Sequence, residues 1–322
     1  MRTFILLITG AILLVSPARG QQAEVRRRSF DFAVREGRAL RLDLYDTAPQ
    51  EQSDVKAARP CMIFVFGGGF VSGRRDAERY IPYFEHYARR GYAVASIDYR
   101  LGLQRLAGSN DTDIASFVMA LAGSVSMAVE DLFAATAYIL SRAEELEIDP
   151  EKIVASGSSA GAITVLHGEY EICNATPLAQ TLLPEGFNYA GIISFAGALL
   201  SIGEPSWQQP PVPVMLFHGD ADSNVPYESL TVAGAGLFGS KFIARQLAAM
   251  NRPYYFYSAE NADHIMATRP MTDNTAEVDI FLDRLVFGGE RAAIEESVRD
   301  EIFPARGKEF TIEDYFRANF MQ

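Results

Sequence analysis

Five residues, Gly157-Ser158-Ser159-Ala160-Gly161, sit at the junction of an apolar run, "KIVASG", and a small-residue stretch, "AGAITVLHGEYE". The spacing G-x-S-x-G places Ser159 on a sharp strand-to-helix turn, with small residues on both sides so that the two elements can approach. Ser158 lacks the symmetric glycines. A serine hydroxyl is a weak nucleophile and needs a base within hydrogen-bond reach, and that base needs an orienting group. Four histidines are available. His86 falls in an amphipathic helical pattern and reads as a surface residue. His167 lies two turns beyond Ser159 on the same predicted helix, about 12 Å along its axis, and reads as structural. His218 closes the apolar run "VPVMLFHG" and is expected to organise the loop that follows. His264, in the polar loop "SAENADHIM" after another apolar run, is the one placed like a base. Asp220 and Asp222, in "HGDADSNVPY", lie between serine and histidine. Asp222 is 63 residues after Ser159 and 42 before His264, room enough for strand and helix units between them. The order Ser, Asp, His suits acyl transfer by a serine nucleophile.

A second glycine cluster, Phe66-Gly67-Gly68-Gly69-Phe70, directly follows the run "CMIFVF". Backbone N–H groups in such a turn can approach a developing oxyanion without a side chain in the way.

These groups need a scaffold that delivers several strand ends to one place. The hydrophobic pattern supplies it. "FDFAVREGRALRLDLYD" alternates around Glu36-Gly37 as a hairpin does. "CMIFVF", "AVASIDYR", "KIVASG", "YAGIISFAG", "VPVMLFHGD" and "RPYYFYSAE" are short continuous apolar runs. They are separated by helical patterns at 76–90, 127–145, "AGAITVLHGEYE" and "GSKFIARQLAAM". Buried strands alternating with helices imply an α/β fold, a mainly parallel sheet covered by helices on both faces. No linker rich in Gly, Ser or Pro divides the chain, so residues 21–322 are expected to form one domain. Residues 102–126 are a candidate lid insertion, with plain packing as the alternative. The tail, 288–322, has helical character.

Composition narrows the function class. The 322 residues are 48% hydrophobic with a formal charge of -12, which argues against a nucleic-acid surface. The one basic cluster, Arg26-Arg27-Arg28, reads as a solvated segment. "MRTFILLITGAILLVSPARG" has an early arginine, an apolar run and small residues at Ala18 and Gly20, as in a secretory leader cleaved before Gln21. Loss of Arg2 and Arg19 takes the charge from -12 to -14. The mature protein is therefore expected to be secreted or periplasmic, without stable membrane insertion. Its two cysteines, Cys61 and Cys173, leave a disulfide and two buried thiols both open. Neither their number nor their spacing suits a zinc site.

Taken together, the chain resembles the α/β-hydrolases, in the carboxylesterase and lipase branch whose oxyanion loop is of the HGGG type. The likeness runs from "LDLYD" to His264. In that branch the acid is the D of "HGxxDxxVP", which here selects Asp222 and leaves Asp220 a loop-shaping role. The resemblance implies a Ser159, His264, Asp222 triad and an oxyanion hole from the N–H groups of Gly68, Gly69 and Ala160. No metal or organic cofactor is required. Phe66 stands where the branch has histidine, so the loop must be pinned by other means. Phe70, Trp207 and Tyr227, in loops near strand ends, are candidate pocket residues or packing residues. The implied activity is hydrolysis of a small-molecule or carbohydrate ester, and secreted members of this kind often deacylate plant polysaccharides. A serine peptidase on the same fold and an inactive hydrolase-like binding protein are the alternatives. Oligomeric state and acyl preference are not written in these motifs.

Overall fold

A computed structural model describes residues 23–48, 58–106, 114–232 and 234–311, with 313, 314 and 317. The leader and residues 107–113 of the candidate lid lie outside the described residues.

The alternating run after residue 24 forms β1 (Val25–Arg35) and β2 (Arg38–Thr47), an antiparallel hairpin that turns at Glu36-Gly37. The continuous apolar runs become β3 (Arg59–Val65), β4 (Ala93–Ile97), β5 (Ile148–Ser158), β6 (Gly191–Phe195), β8 (Val214–Gly219) and β11 (Tyr254–Glu260). With β12 (Ala293–Arg299) they make one nine-stranded sheet in the order β1-β2-β4-β3-β5-β6-β8-β11-β12. Every pairing from β4 to β12 is parallel. Strands covered on both faces cannot alternate, which is why these read as unbroken apolar runs. A second, antiparallel sheet joins β7 (Ala198–Ile202), β10 (Ala235–Gly239) and β9 (Ser229–Val232).

Helices Ile114–Ser141, Ala160–Cys173 and Ser240–Ala249, and helix Ile81–Arg89 with residues 270–286, flank the sheet. The core between these layers is aromatic. Phe195 stacks on Phe217 with ring centroids 5.2 Å apart, and Phe64 meets Tyr80 at 4.8 Å and Phe84 at 5.0 Å.

Three expectations are corrected. The helix predicted over 127–145 begins at Ile114, so residues 114–126 of the candidate lid are its first turns. There Phe117, Leu121 and Val125 are buried. This helix is long and apolar enough to span a membrane by length and composition, and half of that stretch is buried in the fold. The tail is not helical throughout: Ala293–Arg299 is a strand, whose side chains alternate exposed and half-buried as an edge strand requires, while residues 313, 314 and 317 beyond it are helical. Arg26, Arg27 and Arg28 lie within β1 and form ion pairs. Arg26 and Arg28 bind Asp46, and Arg27 binds Asp43 at 2.7 Å. Both carboxylates are buried on β2 and need those cations.

Candidate active site

Parallel strands all end on the same edge of the sheet, and loops there collect the candidate residues. Ser159 follows β5 directly, with φ 52° and ψ −117°, a conformation that L-residues avoid and that holds about 1–3 kcal/mol of strain. Its amide donates to the Phe195 carbonyl at the end of β6, and its carbonyl accepts from Ile163 in the helix. The turn tolerates no larger flank. A Cβ on Gly157 would lie 2.2 Å from the Gly161 carbonyl oxygen, and one on Gly161 would lie 2.0 Å from that of Val65. Ser158 points elsewhere. Its hydroxyl is buried and donates to the Ala267 carbonyl at 2.8 Å.

Ser159 Oγ lies 2.8 Å from His264 Nε2, and His264 Nδ1 lies 2.7 Å from Asp222 Oδ2. A carboxylate only accepts, so the Nδ1 hydrogen points to Asp222, and Nε2 is left to accept from the serine hydroxyl. Asp222 is buried in the loop after β8. Its Oδ1 accepts from the N–H groups of Asn224 (2.8 Å) and Val225 (3.0 Å). His218 Nε2, 3.2 Å from the Val225 carbonyl, must carry its hydrogen. It also lies 3.3 Å from Asp222 Oδ2, while Nδ1 accepts from Ser240 Oγ at 2.8 Å. Burial alone would raise the Asp222 pKa. The two imidazoles and their hydrogen bonds more than offset it, and hold the carboxyl well below its ordinary value. His264 is shifted the other way. Burial favours its neutral form, but Asp222 outweighs this and raises the pKa above the ordinary histidine value.

The glycine turn lies against Ser159, since a Cβ on Gly67 would come within 3.1 Å of the Ser159 Cβ. Gly68, at φ 141°, leaves no room for a side chain beside the Ser72 carbonyl. Among the described residues the amides of Gly68, Gly69 and Ala160 donate to no protein acceptor. Two tyrosines do the pinning that Phe66 cannot. Tyr80 OH accepts the Gly67 N–H at 3.1 Å and donates to Ser158 Oγ at 3.4 Å, and Tyr99 OH donates to the Phe66 carbonyl at 2.9 Å. Phe66 itself packs on the Tyr99 ring at 4.5 Å. Neither tyrosine carries a motif that marks it in the sequence. Tyr80 reads as one more apolar residue of the 76–90 pattern.

The three candidate pocket aromatics all make packing contacts. Phe70 is 1% exposed and sits edge-on to Tyr99. Trp207 packs on Tyr170 and donates from Nε1 to Gln246 Oε1 at 3.0 Å. Tyr227 shares a 2.7 Å hydrogen bond with Ser258 and packs edge-on to His218, behind the acid. His167 is buried and accepts the Leu200 N–H at 2.8 Å, a structural role. Burial lowers its pKa to about 4.

Comparison with known proteins places the chain beside esterases and lipases. A family model described as BD-FAE matches residues 42–175, from β2 to the end of the nucleophile helix. The chain is similar to Lipase 2 of Moraxella sp. (strain TA144), 25% identical over 305 residues, covering 85% of this chain and 62% of that protein. A shorter stretch of 106 residues is 28% identical to Gut esterase 1 of Caenorhabditis elegans, covering 33% of this chain and 17% of that protein. The chain thus spans less than two thirds of either relative. Among solved structures, the apo form of Thermogutta terrifontis esterase 2 superposes with a TM-score of 0.56 at 24% identity. That match covers 83% of this chain and 96% of the other. The structural likeness gives the chain the α/β-hydrolase fold, and the relatives it resembles are named as a lipase and an esterase.

Proposed function

We propose that the protein is a serine hydrolase of carboxylic esters, with Ser159 as nucleophile, His264 as general base and acid, and Asp222 as the group that orients the imidazole. The observation that carries this is the unbroken relay Ser159 Oγ, His264 Nε2, His264 Nδ1, Asp222 Oδ2, with both links under 3 Å. Ser159 attacks the ester carbonyl as its proton passes to His264. Asp222 stabilises the imidazolium, and the N–H groups of Gly68, Gly69 and Ala160 receive the oxyanion. The alkoxide leaves with the proton from Nε2. Water then repeats the sequence on the acyl-enzyme. The matched relatives named as lipase and esterase support ester cleavage over amide cleavage.

The finer features belong to the same proposal. Export rests on the leader-like residues 1–20, and deacylation of plant polysaccharides rests on the resemblance alone.

Hydrolysis of acetyl, butyryl and octanoyl nitrophenyl esters, methyl ferulate and an aminoacyl nitroanilide by the wild type and Ser159→Ala tests the reading. The expected outcome is ester cleavage lost by roughly 10⁴–10⁶-fold in the variant. A wild type that turns over none of them, or a fully active Ser159→Ala, overturns it. Cleavage of the anilide alone would point to a peptidase.

A further inference from the structure

The stretch after β12 is not used by the relay, yet it runs along the two loops that hold it. Asp300 receives Arg269 Nη2 at 3.2 Å, and Phe303 lies under the same guanidinium at 5.3 Å. Both fasten the tail to the segment just beyond His264. Two cations then reach carboxylates on either side of the triad. Arg306 Nη1 is 2.6 Å from Asp263 Oδ2, on the residue immediately before His264. Lys308 Nζ is 2.7 Å from Asp220 Oδ2, two residues before Asp222.

Each of those carboxylates has a second function. Asp263 Oδ1 accepts the Ile265 N–H at 3.1 Å and so caps the short turn that presents the imidazole. Asp220 Oδ1 accepts the Asn261 N–H at 2.7 Å and so ties the acid loop to the histidine loop. The tail therefore grips the two carboxylates through which the loops are shaped, by the oxygens that the loops leave free.

We propose that Arg306 and Lys308 are positioning residues for the reaction, Arg306 acting on His264 through Asp263 and Lys308 acting on Asp222 through Asp220. This rests on the relay reading above. The charged and titratable groups around His264 are Asp220 and Asp222 from the loop after β8 and His218 behind them. Asp263 and Arg269 come from its own segment, and Asp300, Arg306 and Lys308 from the tail. The sign of the Arg306 effect follows from this arrangement. Asp263 favours the imidazolium, and Arg306 offsets that charge. Without Arg306 the carboxylate acts unopposed, and His264 holds its proton to higher pH. Lys308 meets Asp220, whose tie runs to the Asn261 N–H and not to the imidazole. Its loss loosens the Asp220 tie and so the geometry of the relay.

The four histidines of the chain permit a direct test by NMR titration of ¹⁵N-histidine-labelled protein, alongside pH profiles of nitrophenyl acetate hydrolysis. Arg306→Gln should move the His264 midpoint and the acid limb of kcat/KM together, upward by a few tenths of a pH unit. Arg306→Lys, which keeps the charge, should restore both. Lys308→Gln should lower kcat a few-fold with KM and the His264 midpoint unchanged. The proposal fails if Arg306→Gln leaves the midpoint in place, if Arg306→Lys shifts it equally, or if Lys308→Gln turns over like the wild type. The NMR midpoint is read without turnover, so an inactive wild type would sink the relay reading while still testing Arg306.

Discussion

At the residue scale, the candidate site depends on two opposed pKa shifts within one hydrogen-bonded pair. Asp222 stays ionised far into acid, and His264 is pushed above its ordinary 6.5. The base must be neutral to take the serine proton. The expected kcat/KM therefore falls as pH drops through a midpoint above 6.5, and the limb belongs to His264, not to the acid. Asp222→Asn should lower kcat about 10³–10⁴-fold and move that limb downward, because the charge that raised it is gone. A pH profile of the two proteins checks both. An unmoved limb would show that another group titrates. That Ser159, Asp222 and His264 meet was legible in the sequence because each sits in a short pattern imposed by backbone geometry. The flanking glycines mark the strained turn, "HGDADSNVP" marks the acid loop, and the polar run after "YYFYSAE" marks the histidine. The role of His218 as a second donor to Asp222 was legible only as loop organisation. Its contact depends on how that loop folds back, which no spacing reveals.

The elements that position the site show where pattern reading stops. Continuous apolar runs identify strands buried on both faces, and every parallel strand from β3 to β11 was found that way. β7, β9 and β10 escaped, because a small three-stranded sheet with exposed residues such as Ile202 has neither a continuous apolar run nor a clean alternation. β12 escaped because "AIEESVR" is as polar as a surface helix; its pairing with β11 is supplied by the partner strand. The pins on the oxyanion loop were equally hidden. Tyr80 sits on a turn thirteen residues from the Gly67 amide it serves. Tyr80→Phe would leave that buried N–H without its acceptor, and should destabilise the fold by about 1–3 kcal/mol. The loop carries the proposed oxyanion donors, so kcat should also fall, roughly tenfold, with little change in KM. Thermal unfolding together with steady-state kinetics checks this. If stability drops and kcat does not, the tyrosine serves the fold alone.

For the whole molecule, the question is what joins the hairpin half of the sheet to the half that carries acid and base. The sequence left a disulfide open, and the structure leaves both cysteines as buried thiols. Cys61 is on β3, and Cys173 is at the end of the nucleophile helix. Burial pushes the Cys61 thiol up to about 12. Cys173 is raised further by burial beside Glu169, to whose Oε1 its Sγ donates at 3.1 Å. Neither is a thiolate at neutral pH, so neither should react readily with a thiol reagent while the chain is folded. The halves are then joined without a disulfide, by strand pairing and packing in one sheet that runs unbroken from β1 to β12 with the Phe195 and Phe217 stack near its centre. Two consequences are measurable on the same sample. A thiol titration of native protein should find essentially no reactive group, and after denaturation two per chain, matching the two cysteines in the sequence. Thermal unfolding should proceed in one transition whose midpoint does not change with a reductant, because no covalent link exists to be broken. If the denatured chain yields no free thiol until it is reduced, a Cys61–Cys173 bridge is present. β3 and the end of the nucleophile helix would then have to approach more closely than the fold described here allows.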